Sequence, residues 1–298
     1  MNNSVLKGTG YVLVHVPGMV MHHGTTQTTE RSVNPDSDYL KALPGHIRSY
    51  EDCLAYPPNQ TYIGNLSIEA LSAIEEPWYD KKTENPTRFG PFGEVMPEDE
   101  FAVLMQICDA FDLVHLDRDF VLNVKPKLET HPLMTASMLS LIKEGTDRET
   151  IHKQVEEEHA QAVIVGDHLV GYVKRAHDVD LNLSAHVIFE NLVSKASEVL
   201  TILHLLRQSG LDAADVDYVI DCSEEACGDM NQRGGGNFAK AAAEIAGLVN
   251  ATGSDTRAFC AGPAHAIVEA ASLVKAGAFK NVVVAGGGCT AKLDMNGK

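Results

Sequence analysis

Apolar and polar positions change their period several times along the chain, and each change predicts an element. Tyr11–Val16 is a β-rich run that Pro17 and Gly18 end, so a first strand is expected there. Residues 21–60 are polar, dotted with proline and without a readable period. From Glu69 to Glu100 acidic residues outnumber basic ones nine to three and four prolines interrupt, which predicts surface loop. Pro97 suits the first turn of a helix, with Glu98, Asp99 and Glu100 complementing its positive end and an apolar run reaching Phe111. The run AVIVGDHLVGYV, residues 162–173, reads as two short strands in a tight hairpin across Gly166 and Asp167.

From Ser184 the pattern is regular. Ser184 is a good N-cap; Phe189, Leu192, Val193, Ala196, Leu200, Leu203 and Leu206 then recur at helical spacing until Gly210 stops the run. Asp217–Asp221 is a short strand, Asn237–Leu248 a second helix, Thr256–Cys260 another strand and Gly262–Ala276 a third helix. Asn281–Ala285 closes the series as a strand with no polar alternation. Such alternation implies mostly parallel strands with helices on both faces, an α/β fold. The third helix is apolar except for the stripe His265, Glu269 and Ser272, so it is expected to lie buried between layers.

Composition narrows the class. A hydrophobic content of 44% over 298 residues is enough for a substantial core. With 41 acidic and 24 basic side chains, a formal charge of −17 would repel a phosphate backbone, which counts against nucleic acid. The first residues lack the pattern of a secretory signal, and no apolar run approaches the ~18 residues that span a bilayer, so no membrane is expected and the cytoplasm is the expected compartment. Six cysteines scattered through a long chain favour thiols in a reducing compartment over a disulfide framework.

Among these thiols Cys260 stands out. It is predicted to end a strand and precede a helix N-terminus, where unpaired N–H groups and the helix dipole lower a thiol's pKa and favour the nucleophilic thiolate. A buried structural role stays open, because cysteine is among the most buried residue types. His265 is a poor partner: five positions further along a helix it is rotated by about 140° from Cys260. Cys222 and Cys227 resemble half a metal site, but no second pair follows at zinc-ribbon spacing, and no metal is expected. RGGGN at residues 233–237 lacks the Lys-Ser/Thr ending of a P-loop, and AGGGC at residues 285–289 fails the dinucleotide-binding spacing.

The stretch from Cys260 to Gly288 resembles the nucleophile region of thiolase-like enzymes, particularly the type III β-ketoacyl synthases. There a Cys, a small residue and a Gly open a buried helix that ends in G-A-x-K-N-V and a strand. Cys260, Gly262, Gly277, Ala278, Lys280, Asn281 and Val282 fit without a gap, and Arg207–Ile220 resembles that family's helix-to-strand phrase. Over the whole chain, including VPGMVMHHGTTQ at residues 16–27 and the ending from Lys280, the sequence resembles the β-subunit family of component C in glycine/sarcosine/betaine reductase complexes.

That resemblance implies one half of a thiolase-like αβαβα fold with a mixed, mostly parallel sheet and the third helix in its central layer. Residues 25–180 would be a long insertion or cap, residues 184–298 the regular β/α core, and a C-terminal half would be absent. The implied chemistry is acyl transfer. Selenoprotein component A delivers a carboxymethyl selenoether, component C converts it to an acetyl thioester, and phosphate as co-substrate releases acetyl phosphate. Cys260 would bear the acyl group, with the general base supplied by the second half. No tightly bound cofactor is implied; a thioredoxin system would regenerate component A. Implied partners are the component C α subunit, component A and, indirectly, substrate-binding component B, in a hetero-oligomer. Two other readings stay open: a non-catalytic thiolase-like scaffold that docks component A, and a coenzyme A-dependent thiolase or ketoacyl synthase.

Overall fold

In a computed structural model, which describes residues 4–223 and 237–288, the chain enters through β1 (Tyr11–His15). Its partner is β2 (Gly93–Pro97), parallel and in register from Tyr11 opposite Gly93 to His15 opposite Pro97. Only glycine allows this approach, since a Cβ at Gly93 would lie 1.6 Å from the Tyr11 carbonyl oxygen. Between the two strands run α1 (Pro17–His23) and several short helices, among them Asp38–Ala42, Tyr50–Ala55 and Ile68–Ser72. Each of these three starts at a serine, Ser37, Ser49 or Ser67, whose hydroxyl accepts an N–H of the first turn. Helices this short are specified by their caps and not by an apolar period, which is why the sequence pattern there is unreadable.

The expectation of an acidic surface loop up to Glu100 is corrected in its last part. Strand β2 is buried, and so are the carboxylates Glu94, Glu98 and Glu100. They are inside because each is answered. Glu94 Oε2 accepts from Arg88 Nε at 2.8 Å, and its Oε1 faces His131 Nε2 at 2.9 Å and His204 Nε2 at 3.0 Å. Arg88 also grips Glu100 with two N–H groups, at 2.8 and 2.6 Å. Glu98 accepts the backbone N–H groups of Gly18, Met19 and Gly166, tying the first turn of α1 to the hairpin.

After β2 comes α2 (Glu98–Cys108), buried at every position but Asp99. It stops three residues before Phe111 because the Asp109 carboxylate takes the N–H groups of Phe111, Leu113 and Val114 and turns the chain into β3 (Val114–Leu116). Helix α3 (Arg118–Glu129) follows, capped by Asp117. The hairpin forms as expected, β4 (Gln161–Val165) and β5 (His168–Val173) turning across Gly166 at φ 56°, with the antiparallel order β3-β5-β4.

The regular third of the chain begins with α4 (Ala185–Ser209), 25 residues ended by Gly210 in the left-handed conformation at φ 66°. Then come β6 (Tyr218–Asp221), α5 (Phe238–Ile245), β7 (Thr252–Asp255), α6 (Gly262–Lys275) and β8 (Val282–Ala285). The three strands are parallel in the order β7-β6-β8. Their side chains alternate between two faces. Val219, Val283 and Ala285 join the large core with α4 and α5, while Ile220 and Cys222 pack with Ala266, Ala270 and Leu273 of α6. That large core also contains Met19, Phe101, Leu104 and Val163, so residues before and after 184 share one apolar interior.

Two expectations fail here. Thr256–Cys260 is not a strand: β7 lies four residues earlier and the stretch is loop and 3₁₀ turn. The Asp255 carboxylate caps α5 through the N–H groups of Phe238 and Ala239, and beyond it the chain turns inward to bind Asp221, so tertiary hydrogen bonds override β propensity. Nor is α6 buried between layers. Among the described residues it is covered on the sheet side alone, where Gly262 and Ala266 are buried, and Ile267 and Val268 are 60% and 66% exposed.

Burial raises the Glu94 pKa, but hydrogen bonds from His131 and His204 and the charges of His131 and Arg88 outweigh it and bring the group down to about 2. Its contribution to stability is therefore full above the ordinary glutamate range and lost as pH falls through about 2. Glu94→Ala leaves His131, His204 and part of Arg88 buried without an acceptor, and is expected to cost about 3–5 kcal/mol in urea unfolding at pH 7. A loss below about 1 kcal/mol would contradict the assigned network.

Candidate functional site

Because β6, β7 and β8 run parallel, the segments that follow them emerge on one side of the sheet. This is the edge at which open α/β sheets place ligands. Cys222 and Ser223 leave β6, Thr256–Ala261 links β7 to α6, and Gly286–Gly288 follows β8. Cys260 stands in the 3₁₀ turn Phe259–Ala261, directly before α6, and is exposed. Phe259 beside it adopts φ 47°, an unusual conformation for a residue with a side chain. Gly262 opens the helix with Pro263 in its first turn, so the turn carrying Cys260 faces the helix's unpaired N–H groups.

The second thiol at this edge differs in kind. Cys222 is buried, donates to the Ala285 carbonyl at 3.1 Å, and lies under the start of α6, where a Cβ on Gly262 would meet the Cys222 carbonyl at 3.2 Å. Burial, with the acidic side chains of Asp221 and Glu198 nearby, pushes its thiol up to about 11. Both cysteines line a groove of about 1870 Å³ bounded by the first residues, the C-terminal half of α4, α6 and the loop after β8. His265 is exposed on α6.

Behind the groove lies a buried acidic cluster that the sequence pattern did not reveal. Asp221 ends β6 and forms an ion pair with Arg257, whose Nη1 is 2.5 Å from its Oδ2, while the Ser223 hydroxyl donates to its Oδ1 at 2.6 Å. Arg257 Nη2 is 3.6 Å from Asp255, and Nη1 also donates to the Ser223 carbonyl. Glu198 of α4 is fully buried, and neither carboxyl oxygen has a hydrogen-bond partner among the described residues. Burial first, then the nearby charges of Asp221 and Asp255, hold its pKa well above the ordinary range, which favours the neutral acid. The available signals were charges in apolar settings: Asp221 at the end of DYVID, and Glu198 within the apolar run of α4.

No group of three or more His, Cys, Asp or Glu among the described residues is arranged to hold a metal ion. The other half of the Cys222–Cys227 reading, with Glu224 and Glu225, lies outside the described residues, as do Arg233–Gly236 of the RGGGN stretch and Cys289. Among the described residues no helix is long and apolar enough to cross a membrane.

Comparison with known proteins gives one strong likeness. The sequence is 57% identical over 300 aligned positions to the glycine/sarcosine/betaine reductase complex component C subunit beta of Peptoclostridium acidaminophilum. This chain is a homologue of that β subunit along its whole length. The alignment covers 100% of the chain and 58% of the relative, so the chain spans little more than half of the curated relative's length. No family model matches the sequence, and no solved structure matches it. The mixed α/β architecture with parallel strands is consistent with the thiolase-like fold expected from the sequence.

Glu198 yields a prediction of definite sign. A carboxyl whose folded pKa is raised contributes stability fully below the ordinary glutamate range and loses it as pH rises toward the raised value. Glu198→Gln removes that loss. Relative to the unaltered chain the variant is expected to gain stability in denaturant melts as pH goes from 5 to 8; a pH-independent difference would refute the raised pKa.

Proposed function

We propose that this chain supplies the acyl-bearing thiol of a component C β subunit in a glycine/sarcosine/betaine-type reductase. In this reading the acetyl group derived from the carboxymethyl selenoether of component A is carried on Cys260 as a thioester. A phosphate oxygen then attacks the acetyl carbon, the carbon–sulfur bond breaks, and acetyl phosphate leaves as the Cys260 thiolate is restored. Component A, left oxidised, is reduced again by thioredoxin. The partners are the α subunit, component A and, indirectly, component B, in a cytoplasmic hetero-oligomer that needs no tightly bound cofactor on this chain.

The observation that carries the reading is the placement of Cys260: exposed in a groove, at the carboxyl edge of three parallel strands, and directly before a helix N-terminus. A thioester splits one difficult transfer into two, and a helix N-terminus favours both the attacking thiolate and the developing oxyanion. The likeness over the whole chain supports the same assignment. Cys222 does not compete for the role, because a buried thiol with its pKa raised to about 11 is hardly ionised at neutral pH.

Incubating the assembled component C with acetyl phosphate is expected to leave one acetyl group on the Cys260 peptide, read by mass spectrometry. Cys260→Ala should remove that adduct and lower acetyl phosphate formation by several orders of magnitude, the scale seen when a covalent nucleophile is deleted. An adduct confined to the α subunit, or full activity in the variant, would instead support the scaffold reading.

A further inference from the structure

We propose that Arg257, gripped by Asp221, is a positioning residue that fixes the Thr256–Ala261 segment and thereby sets the placement of Cys260. The inference rests on the reading of Cys260 as the reactive thiol. Three residues separate β7 from Phe259, too few to define a conformation by themselves, and no ladder holds them once β7 ends at Asp255. What holds them is a set of side-chain and backbone anchors at the start of the segment. The Thr256 N–H donates to the Asp221 carbonyl at 2.8 Å, and the Thr256 hydroxyl to Glu269 Oε2 on α6 at 2.7 Å. Arg257 turns inward to the Asp221 carboxylate and the Ser223 carbonyl, with its guanidinium 5.7 Å from the Phe238 ring. Two consecutive residues are thus pinned to β6 and to α6, the two elements between which the Cys260 turn must sit.

The electrostatics make Arg257 hard to replace. Asp221 and Cys222 face it from β6, Asp255 from β7 and Glu198 from α4, while Glu269 binds the neighbouring Thr256 from α6. Arg257 is the cation that pairs with both Asp221 and Asp255, and Asp221 is fully buried. Lysine keeps the charge but not the fork whose two arms lie toward the Asp221 and Asp255 carboxylates. Without a cation the segment loses its anchor and Asp221 is left buried without its counter-charge.

The measurement is the rate of Cys260 alkylation by iodoacetamide against pH in the full-length reduced protein, followed on the Cys260 peptide, with circular dichroism to verify folding. Arg257→Gln and Asp221→Asn are both expected to move the profile to higher pH and slow alkylation at pH 7 by about tenfold, the change in thiolate fraction for one unit of thiol pKa. Arg257→Lys should recover part of the loss. A through-space charge effect predicts opposite directions, since Asp221→Asn removes a negative charge and would favour the thiolate. Opposite shifts, or unchanged profiles in both variants, overturn the proposal. Should either variant fail to fold, Thr256→Val removes the tether to Glu269 and is expected to shift the profile the same way; no shift there counts against positioning. Alkylation does not depend on acetyl transfer: profiles that move while Cys260 takes no acetyl group would reject the proposed function and keep the clamp.

Discussion

A helix buried through most of its 25 residues must find a partner, or a neutral form, for every polar side chain it carries, and α4 imposes this on the rest of the chain. Lys195 is almost wholly buried and gives its ammonium to the Cys108 carbonyl at 2.8 Å, joining α4 to the end of α2. His204, further along the helix, faces Glu94 of β2 at 3.0 Å. Glu198 takes the other course, its pKa held well above the ordinary range so that the neutral form is favoured. Each solution recruits a different element, so the helix that reads as the start of the regular β/α segment is also the axis on which β2 and α2 are assembled. The shared core of Met19, Phe101, Phe189, Val219 and Val283 is the apolar side of the same arrangement.

Elements specified by local chemistry were legible. The β4–β5 turn needs only Gly166 and Asp167, α4 needs its apolar period and the left-handed Gly210, and α2 needs Pro97 followed by three acidic residues. Elements specified by distant partners were not. Strand β2 carries Glu94, which local reading assigns to solvent and which Arg88, His131 and His204 bring inside. Strand β7 has the unpromising sequence TGSD; Gly253 suits it because a Cβ there would meet the Val219 carbonyl oxygen at 2.5 Å, and Asp255 because it caps α5. Apolar composition misled in the opposite sense for α6, whose Ile267 and Val268 stay exposed among the described residues.

At the site, the sequence singled out Cys260 as a candidate but did not show what surrounds it. Cys260 could be named from its place before Gly262 and Pro263, whereas Asp221, Arg257 and Glu198 come from three elements and meet only when the strands are paired. Helical rotation disfavoured His265, and in the structure Cys260 precedes α6 in a separate turn.

The two cysteines at the strand ends show how one fold gives the same side chain two chemistries. Cys222 continues the alternation of β6, so its sulfur lies against α6 and Gly286, shares its proton with the Ala285 carbonyl, and stays neutral beside acidic neighbours. Cys260 follows a segment that has left the sheet, and a residue at positive φ directs the turn outward into the groove. Asp221, one of the acids that raise the Cys222 thiol, is also paired with a cation, and that cation, Arg257, lies three residues before Cys260. Charge balance behind the groove and the placement of the thiol within it therefore depend on one guanidinium, so that a change made to alter either will alter both.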